Sequence, residues 1–350
     1  MATDRLPQAT QAIYSDLLDL AIRAEAERVR RQIPAGAFVS KEIAAKRYWY
    51  LQESAGGSRR QRYLGAETES LLDWMRQVEL AREQLRPDDA QRARLVDMAV
   101  AGGTDREPAA VARALKLLSE LGVFRLGAVL VGTRAFRAYG PMLGARLPSR
   151  AAQTQDIDVA VSGDRSTVAI ARGADEQVAA ADAIRSAGMD LHAVPELDSR
   201  LPSTSFKIRG RELRIDFLTP ARSRGLGSTD RPVEIRALGV HATPLPFLEF
   251  LLEGAIDAVL MAFSGVLVRV PEPGRFALHK LWLAAQRPVS QSNRAAKDRQ
   301  QAQQLLEILL EDRASDLRTA MATLAPNGQA ARTLRREIAR LPGAIGEQLR

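Results

Sequence analysis

Cysteine is absent from all 350 residues, which excludes disulfides, thiol nucleophiles and thiolate metal sites. Histidine is nearly absent. His192, His241 and His279 are scattered, so a histidine zinc set is not expected, and any histidine base must be one of these three. Lysine is scarce as well: it supplies six of the 50 cationic residues, and arginine supplies the rest. Together with the many alanines, that skew reads as the codon bias of a GC-rich bacterial genome rather than a specific use of arginine. No stretch approaches the roughly 20 apolar residues of a membrane-spanning helix. The opening Met1-Ala-Thr-Asp-Arg-Leu-Pro-Gln8 carries no apolar signal segment. Internal repeats and low-complexity tracts are also missing. The expectation is a cytoplasmic protein with no membrane partner.

What is present suits a folded chain. Hydrophobic residues make up 46% and charged residues 26%, enough for a sizeable core, so disorder is not the main state. The length implies two or three domains. The net charge of +8 points towards polyanions such as nucleic acid, nucleotides or acidic surfaces.

The pattern predicts an α+β protein in three parts. Residues 1–105 read as helices around a basic, aromatic β-hairpin. The helices run from Thr10 to Arg31 and from Glu67 to Met98, and the hairpin lies within Lys46–Gly65 around Ser-Ala-Gly-Gly-Ser. Ala101-Gly-Gly-Thr-Asp-Arg-Glu-Pro108 reads as a linker. Residues 106–243 read as a mixed-sheet core. Its expected elements are a helix to Leu121, a buried strand Arg125–Val131, a Gly132-Thr133 turn and a helix Arg134–Tyr139. A strand Asp156–Ser162, a helix Asp175–Ala187 and a hairpin Ser205–Leu218 turning near Gly210-Arg211 follow. Residues 244–350 read as mostly helical, with a short helix over Pro244–Leu252, two strands around Gly265, and a bundle from Phe276 onward.

The chemistry gathers in the middle part. Asp156 and Asp158 alternate on one strand and so share a face, while Ile157 points into the core. Asp216 sits between Ile215 and Phe217 on another strand. It reads either as a third carboxylate on that face or as an ion partner of Arg214 or Arg209. Carboxylates that converge in this way repel unless a cation lies among them, and Mg²⁺ (or Mn²⁺) suits carboxylate oxygens together with substrate phosphates. A Gly-Thr turn ahead of a helix brings backbone N–H groups and a hydroxyl close to a phosphate.

Strand, Gly-Thr turn, helix, Asp-x-Asp strand and later acidic strand together resemble the nucleotidyltransferase fold of the DNA polymerase β superfamily. Tyr48-Trp-Tyr, Gln61-Arg-Tyr-Leu-Gly65, Val131-Gly-Thr, Thr154-Gln-Asp-Ile-Asp158 and Phe276-Ala-Leu-His-Lys280 occur here in the order seen in a group of uncharacterised bacterial nucleotidyltransferases. More distant relatives are the AbiEii-type toxins of toxin–antitoxin systems. The similarity covers about residues 40 to 310. Two features depart from the pattern: Thr133 stands where Ser or Gly is commoner, and the stretch from Thr133 to Asp156 is long. The resemblance implies an enzyme that moves a nucleotidyl group from an NTP such as ATP to an acceptor, with release of pyrophosphate. The acceptor would be RNA (tRNA or another), a protein or a small molecule, and an antitoxin protein is an implied partner. Asp156, Asp158 and Asp216 would hold metal and carry catalysis, and Gly132 and Thr133 would contact phosphates. Lys280 would hold the triphosphate, and Asp298 would orient or deprotonate the acceptor. As structural alternatives, Lys280 and Asp298 are plain helix charges, and His279 reads as a packing residue. The alternative function is a nucleic-acid-binding or toxin–antitoxin-related protein with a vestigial site.

The hairpin is a second candidate. Tyr48, Trp49 and Tyr63, interleaved with Arg59, Arg60 and Arg62, could stack on bases and pair with phosphates. Tyr and Trp are equally ordinary strand residues that pack on a helix.

Overall fold

The computed structural model describes the chain apart from residues 1–3, 35, 56–57, 148–154, 163–190, 197, 199, 209–211, 222–230, 325–327, 343–344 and 346–350. The helix expected over 175–187 and the turn at 210–211 lie outside the described residues.

Helix α1 (Gln8–Arg30) packs along the 33-residue helix α2 (Glu69–Ala101). The Thr68 side chain starts α2 by accepting the Leu71 N–H at 3.2 Å. Between these helices in sequence comes an antiparallel sheet of β1 (Ala37–Ile43), β2 (Lys46–Ala55) and β3 (Ser58–Ala66). The β2–β3 hairpin agrees with the sequence pattern, whereas β1 was not expected. It joins β2 through Ala44 and Ala45, which take φ of 50° and 59°. Two-residue turns of that shape normally announce themselves with Asn or Gly, and here two alanines leave no such signal. One face of α1 and α2 meets the strand β11 (Ile256–Leu260) in a cluster of Tyr14, Leu17, Ala21, Val96, Ala99, Val259 and Met261.

The segment between α2 and helix α3 (Ala109–Glu120) is irregular, but it does not run free. The Glu107 N–H donates to the Met261 carbonyl at 3.0 Å. Its buried carboxylate accepts from Arg134 Nη1 and Arg137 Nε, each at 2.8 Å. Arg134 is itself fully buried, so the pair compensates charges that water cannot reach.

The main sheet runs β4 (Val129–Val131), β5 (Asp156–Ala160), β8 (Arg214–Pro220), β10 (Val240–Leu245) and β9 (Val233–Ile235). β5 and β8 are parallel. The first half of β8 also pairs with β7 (Ser205–Ile208), which in turn pairs with β6 (Leu191–Ala193); its second half pairs with β10. Two expected elements are corrected. The strand expected from Arg125 is only Val129–Val131, because Gly122 and Gly127, at φ 76° and 89°, turn the preceding residues. The helix expected over Pro244–Leu252 shrinks to α5 (Leu248–Leu252), and Pro244 lies in β10. There β9 pairs only Val240–Ala242, so the proline faces a side that needs no donor.

Helix α4 (Gly132–Met142) follows β4 directly. The hairpin of β11 and β12 (Val266–Val270) forms around Gly265 as expected. Helix α6 (Pro273–Gln286) starts at Pro273, and the Glu272 carboxylate accepts the Gly274 and Arg275 N–H groups at 2.8 Å each. Helices α7 (Ser292–Asp312), α8 (Ala314–Ala322) and α9 (Gln329–Ile338) complete the bundle. A contiguous apolar core joins sheet and bundle, running in sequence from Val111 to Ile345.

Replacing Glu107 by Ala removes a counter-charge from a buried guanidinium. It should lower unfolding stability by about 3–5 kcal/mol, read from denaturant titration. A change near zero would show that other groups carry that charge.

Candidate active site

Side-chain alternation sets the site. In β5 the fully buried Ile157 and Val159 flank Asp158, so Asp156 and Asp158 leave the sheet on its other face. In β8 the fully buried Ile215 and Phe217 flank Asp216 in the same way. The register puts Asp158 level with Asp216, and Asp156 level with Arg214. Neighbouring strands lie about 4.8 Å apart, so the three carboxylates occupy one patch.

Crowding and burial act on their protons. Burial, then Asp216, pushes the Asp158 carboxyl up to about 6, with Lys280 and Arg214 pulling against the shift. The Asp156 carboxyl is raised by the same two causes and eased by Arg214, Arg134 and Lys297. Asp216 is partly compensated. Its Oδ1 accepts from Arg214 Nε at 2.6 Å and from the Ser205 hydroxyl, which in turn accepts from Arg214 Nη2 at 2.7 Å. The ion pair with Arg214 and the place beside Asp158 therefore coexist. Among the described residues no group of three or more histidine, aspartate or glutamate side chains is placed so that it could hold a metal ion. The donor set nevertheless fits a hard divalent cation: all its atoms are carboxylate oxygens, Asp216 Oδ2 takes part in neither bond above, and the charge at Asp158 is disfavoured without a cation.

The turn after β4 lies against these acids. Gly132 has φ 66°, and a Cβ there would collide with Asp158 Oδ2. Only glycine combines that backbone with that approach. Val131 gives α4 no side-chain cap, so the N–H groups of its first turn remain a place for an anion. Thr133 Oγ1 accepts from Lys297 Nζ at 3.3 Å.

Lys297 is the site residue that sequence reasoning missed. It reaches from α7 to the Gly-Thr turn, half-buried. Its pKa is lowered by burial and then by Lys280, against the pull of Asp298, Asp156 and Asp158. Lys280 is implied by the family resemblance, and the scarcity of lysine among arginines marks Lys297 as much as Lys280. Lys280 Nζ donates to Asp298 Oδ1 at 2.8 Å, both residues buried, and Arg287 Nε holds Asp298 Oδ2 at 2.6 Å. Lys280 is near enough to favour the charged form of Asp158. His279 lies buried with its ring 5.9 Å from that of Phe247 and is pushed down to about 3 by burial, then by Lys280, so it stays neutral. That matches the packing role.

The structure thus brings together Asp156, Asp158, Asp216, Gly132 and Thr133, with Lys280 close by. Tyr48, Trp49, Arg62 and Tyr63 lie on the separate sheet β1–β3, and among the described residues no bond ties them to the three acids. Arg59 and Arg60 fall on β3 in register with Ser54 and Glu53.

Comparison with known families finds one described as Nucleotidyltransferase, whose model matches residues 109–326. No curated protein and no solved structure matches.

Two outcomes test the geometry. Asp158 has its folded pKa raised above the unfolded value of about 3.9, so its stabilising share is complete below that value and is lost as pH rises through about 6. Without divalent ions, Asp158→Asn should raise the thermal midpoint at pH 8, and the gain should shrink towards pH 4; an equal gain at both pH values would refute the shift. Gly132→Ala should cost about 1–3 kcal/mol through its backbone strain alone, measured by denaturant titration, and a neutral result would refute the left-handed conformation at the turn.

Proposed function

This chain belongs to a nucleotidyltransferase family, and on that premise we propose that it moves a nucleotidyl group from an NTP to an acceptor hydroxyl or phosphate. The observation that carries the reading is the patch of Asp156, Asp158 and Asp216 facing the uncapped start of α4, with Lys297 on Thr133. The acceptor oxygen attacks the α-phosphorus. The bond from that phosphorus to the oxygen bridging to the β-phosphate breaks, and pyrophosphate leaves.

Each residue has a task. Mg²⁺ or Mn²⁺, held by Asp156 and Asp158 with Asp216 beside them, would neutralise charge on the phosphates and the leaving group. Asp216 takes the acceptor proton, and its bonds to Arg214 and Ser205 fix the carboxylate for that role. The first N–H groups of α4 and the Thr133 hydroxyl hold phosphate oxygens. Lys297, with Lys280 behind it, meets the triphosphate, since an ammonium is a compact charge suited to phosphate. Asp298, buried between Lys280 and Arg287, positions Lys280. The protein would draw its NTP from the cytoplasm. Among the described residues no helix is long and apolar enough to cross a membrane.

Incubation with labelled NTPs, Mg²⁺ and total cell RNA or protein should label one fraction. Asp156→Asn with Asp158→Asn should abolish that labelling, together with the rise in thermal midpoint caused by Mg²⁺ or Mn²⁺. Lys297→Ala should lower kcat by about 10²–10³-fold while sparing the metal response. If no NTP labels any fraction, the reading fails. If Lys297→Ala keeps full activity, Lys297 has no part in it.

A further inference from the structure

The sheet β1–β3 has two unlike faces. One is covered by α2: Leu51 is almost fully buried, the Phe38 ring meets Trp74 edge-on at 5.3 Å, and the Arg82 guanidinium lies 5.1 Å from the Phe38 ring. Trp49 alternates with Tyr48 and Tyr50 and is tied to Glu67 Oε2 at 2.9 Å. The other face carries three tyrosines. Tyr63 stands 5.5 Å from Tyr50 and 6.2 Å from Tyr48, ring centre to ring centre, and is 57% exposed. A bulge opposite Trp49–Tyr50 lets the single ring of Tyr63 reach both partners. Lys41 Nζ sits 4.8 Å from the centre of the Tyr50 ring. Two residue pairs further along, on the same face, Gln61 Nε2 donates to Gln52 Oε1 at 2.9 Å.

Charge follows the same sheet. Residues 37–66 contain Lys41, Lys46, Arg47, Arg59, Arg60 and Arg62 against Glu42 and Glu53, a surplus of +4; by strand alternation Lys41 and Lys46 share the tyrosine face, whereas Arg47, which pairs with Glu67, and Arg62 share the Leu51 face. A partly exposed aromatic face, with Tyr63 open to solvent, one cation over a ring and Lys46 on the same face, combines the two elements that hold unpaired bases: π-faces for stacking and cations for phosphates. The Gln52–Gln61 amides beside the rings suit the 2′-hydroxyl of a ribose, which donates and accepts.

We propose that the Tyr48–Tyr50–Tyr63 face binds single-stranded RNA, its bases stacking on the exposed tyrosine and its phosphates meeting Lys41 and Lys46. This supplies an acceptor class to the nucleotidyl-transfer reading and rests on that reading in this one respect; the binding itself needs no catalysis. It also reassigns the expected aromatic set: Tyr50 joins and Trp49 leaves.

The test is fluorescence anisotropy of the full chain with a labelled 12-nucleotide RNA, without NTP. Binding should weaken steeply with salt. Tyr63→Ala should weaken it about 5-fold to 100-fold, Tyr63→Phe should keep it, and Lys41→Glu should weaken it further, all at unchanged thermal midpoints. Asp156→Asn with Asp158→Asn should bind as the unaltered chain does, so a failed transfer assay and a failed binding assay are separate results. Equal binding of duplex RNA, equal binding of the matching DNA strand, equal loss in Tyr63→Ala and Tyr63→Phe, or displacement by poly-glutamate as readily as by RNA would each overturn the proposal.

Discussion

Three carboxylates on two neighbouring strands repel one another, and their surroundings answer that repulsion. The side chains of Asp156, Asp158 and Asp216 are fixed by strand alternation against a fully buried apolar row, so they cannot relax apart without unpacking the sheet. Positive charge therefore comes to them, from Arg214 on the same strand and from Lys280 and Lys297 on helices far along the chain. Even so, Asp158 and Asp156 stay above their usual carboxyl range. That shortfall of positive charge is the physical ground for the cation proposed above.

Much of this was legible from the residues. The Asp-x-Asp alternation, the Gly-Thr turn and the acid between Ile215 and Phe217 are local patterns, and local patterns determine which face a strand residue takes. The Gly132 requirement is visible as glycine, but its cause, the approach of Asp158, needs the pairing of Val131 with Asp158. Lys297 was passed over because its partner Thr133 is 164 residues away, and spacing along a helix carries no record of such a contact. β1 was missed for want of a turn signal at Ala44–Ala45. The strand expected from Arg125 is shorter because its apolar run passes through Gly127, which turns.

Lys280 and Asp298 show how one pair of residues can serve two readings. As sequence they are a cation and an acid in separate helices; as structure they are a buried pair with Arg287 as the third member. Such a pair gives little net stability over apolar residues of the same volume, yet removing one member is costly. It locks α6 to α7 in one register, and α7 carries Lys297 to the turn.

Glu107 has a practical corollary for anyone who wishes to work with less than the whole chain. The family match begins at 109 and ends at 326, boundaries that invite an excised core. Cutting there would discard the carboxylate that Arg134 and Arg137 share, strip α1 and α2 from Val259 and Met261, and bare the surfaces now covered by Leu334 and Ile338. The smallest fragment with closed surfaces is therefore longer than the stretch that identifies the family, and a shorter one should be sticky and poorly folded rather than a minimal enzyme.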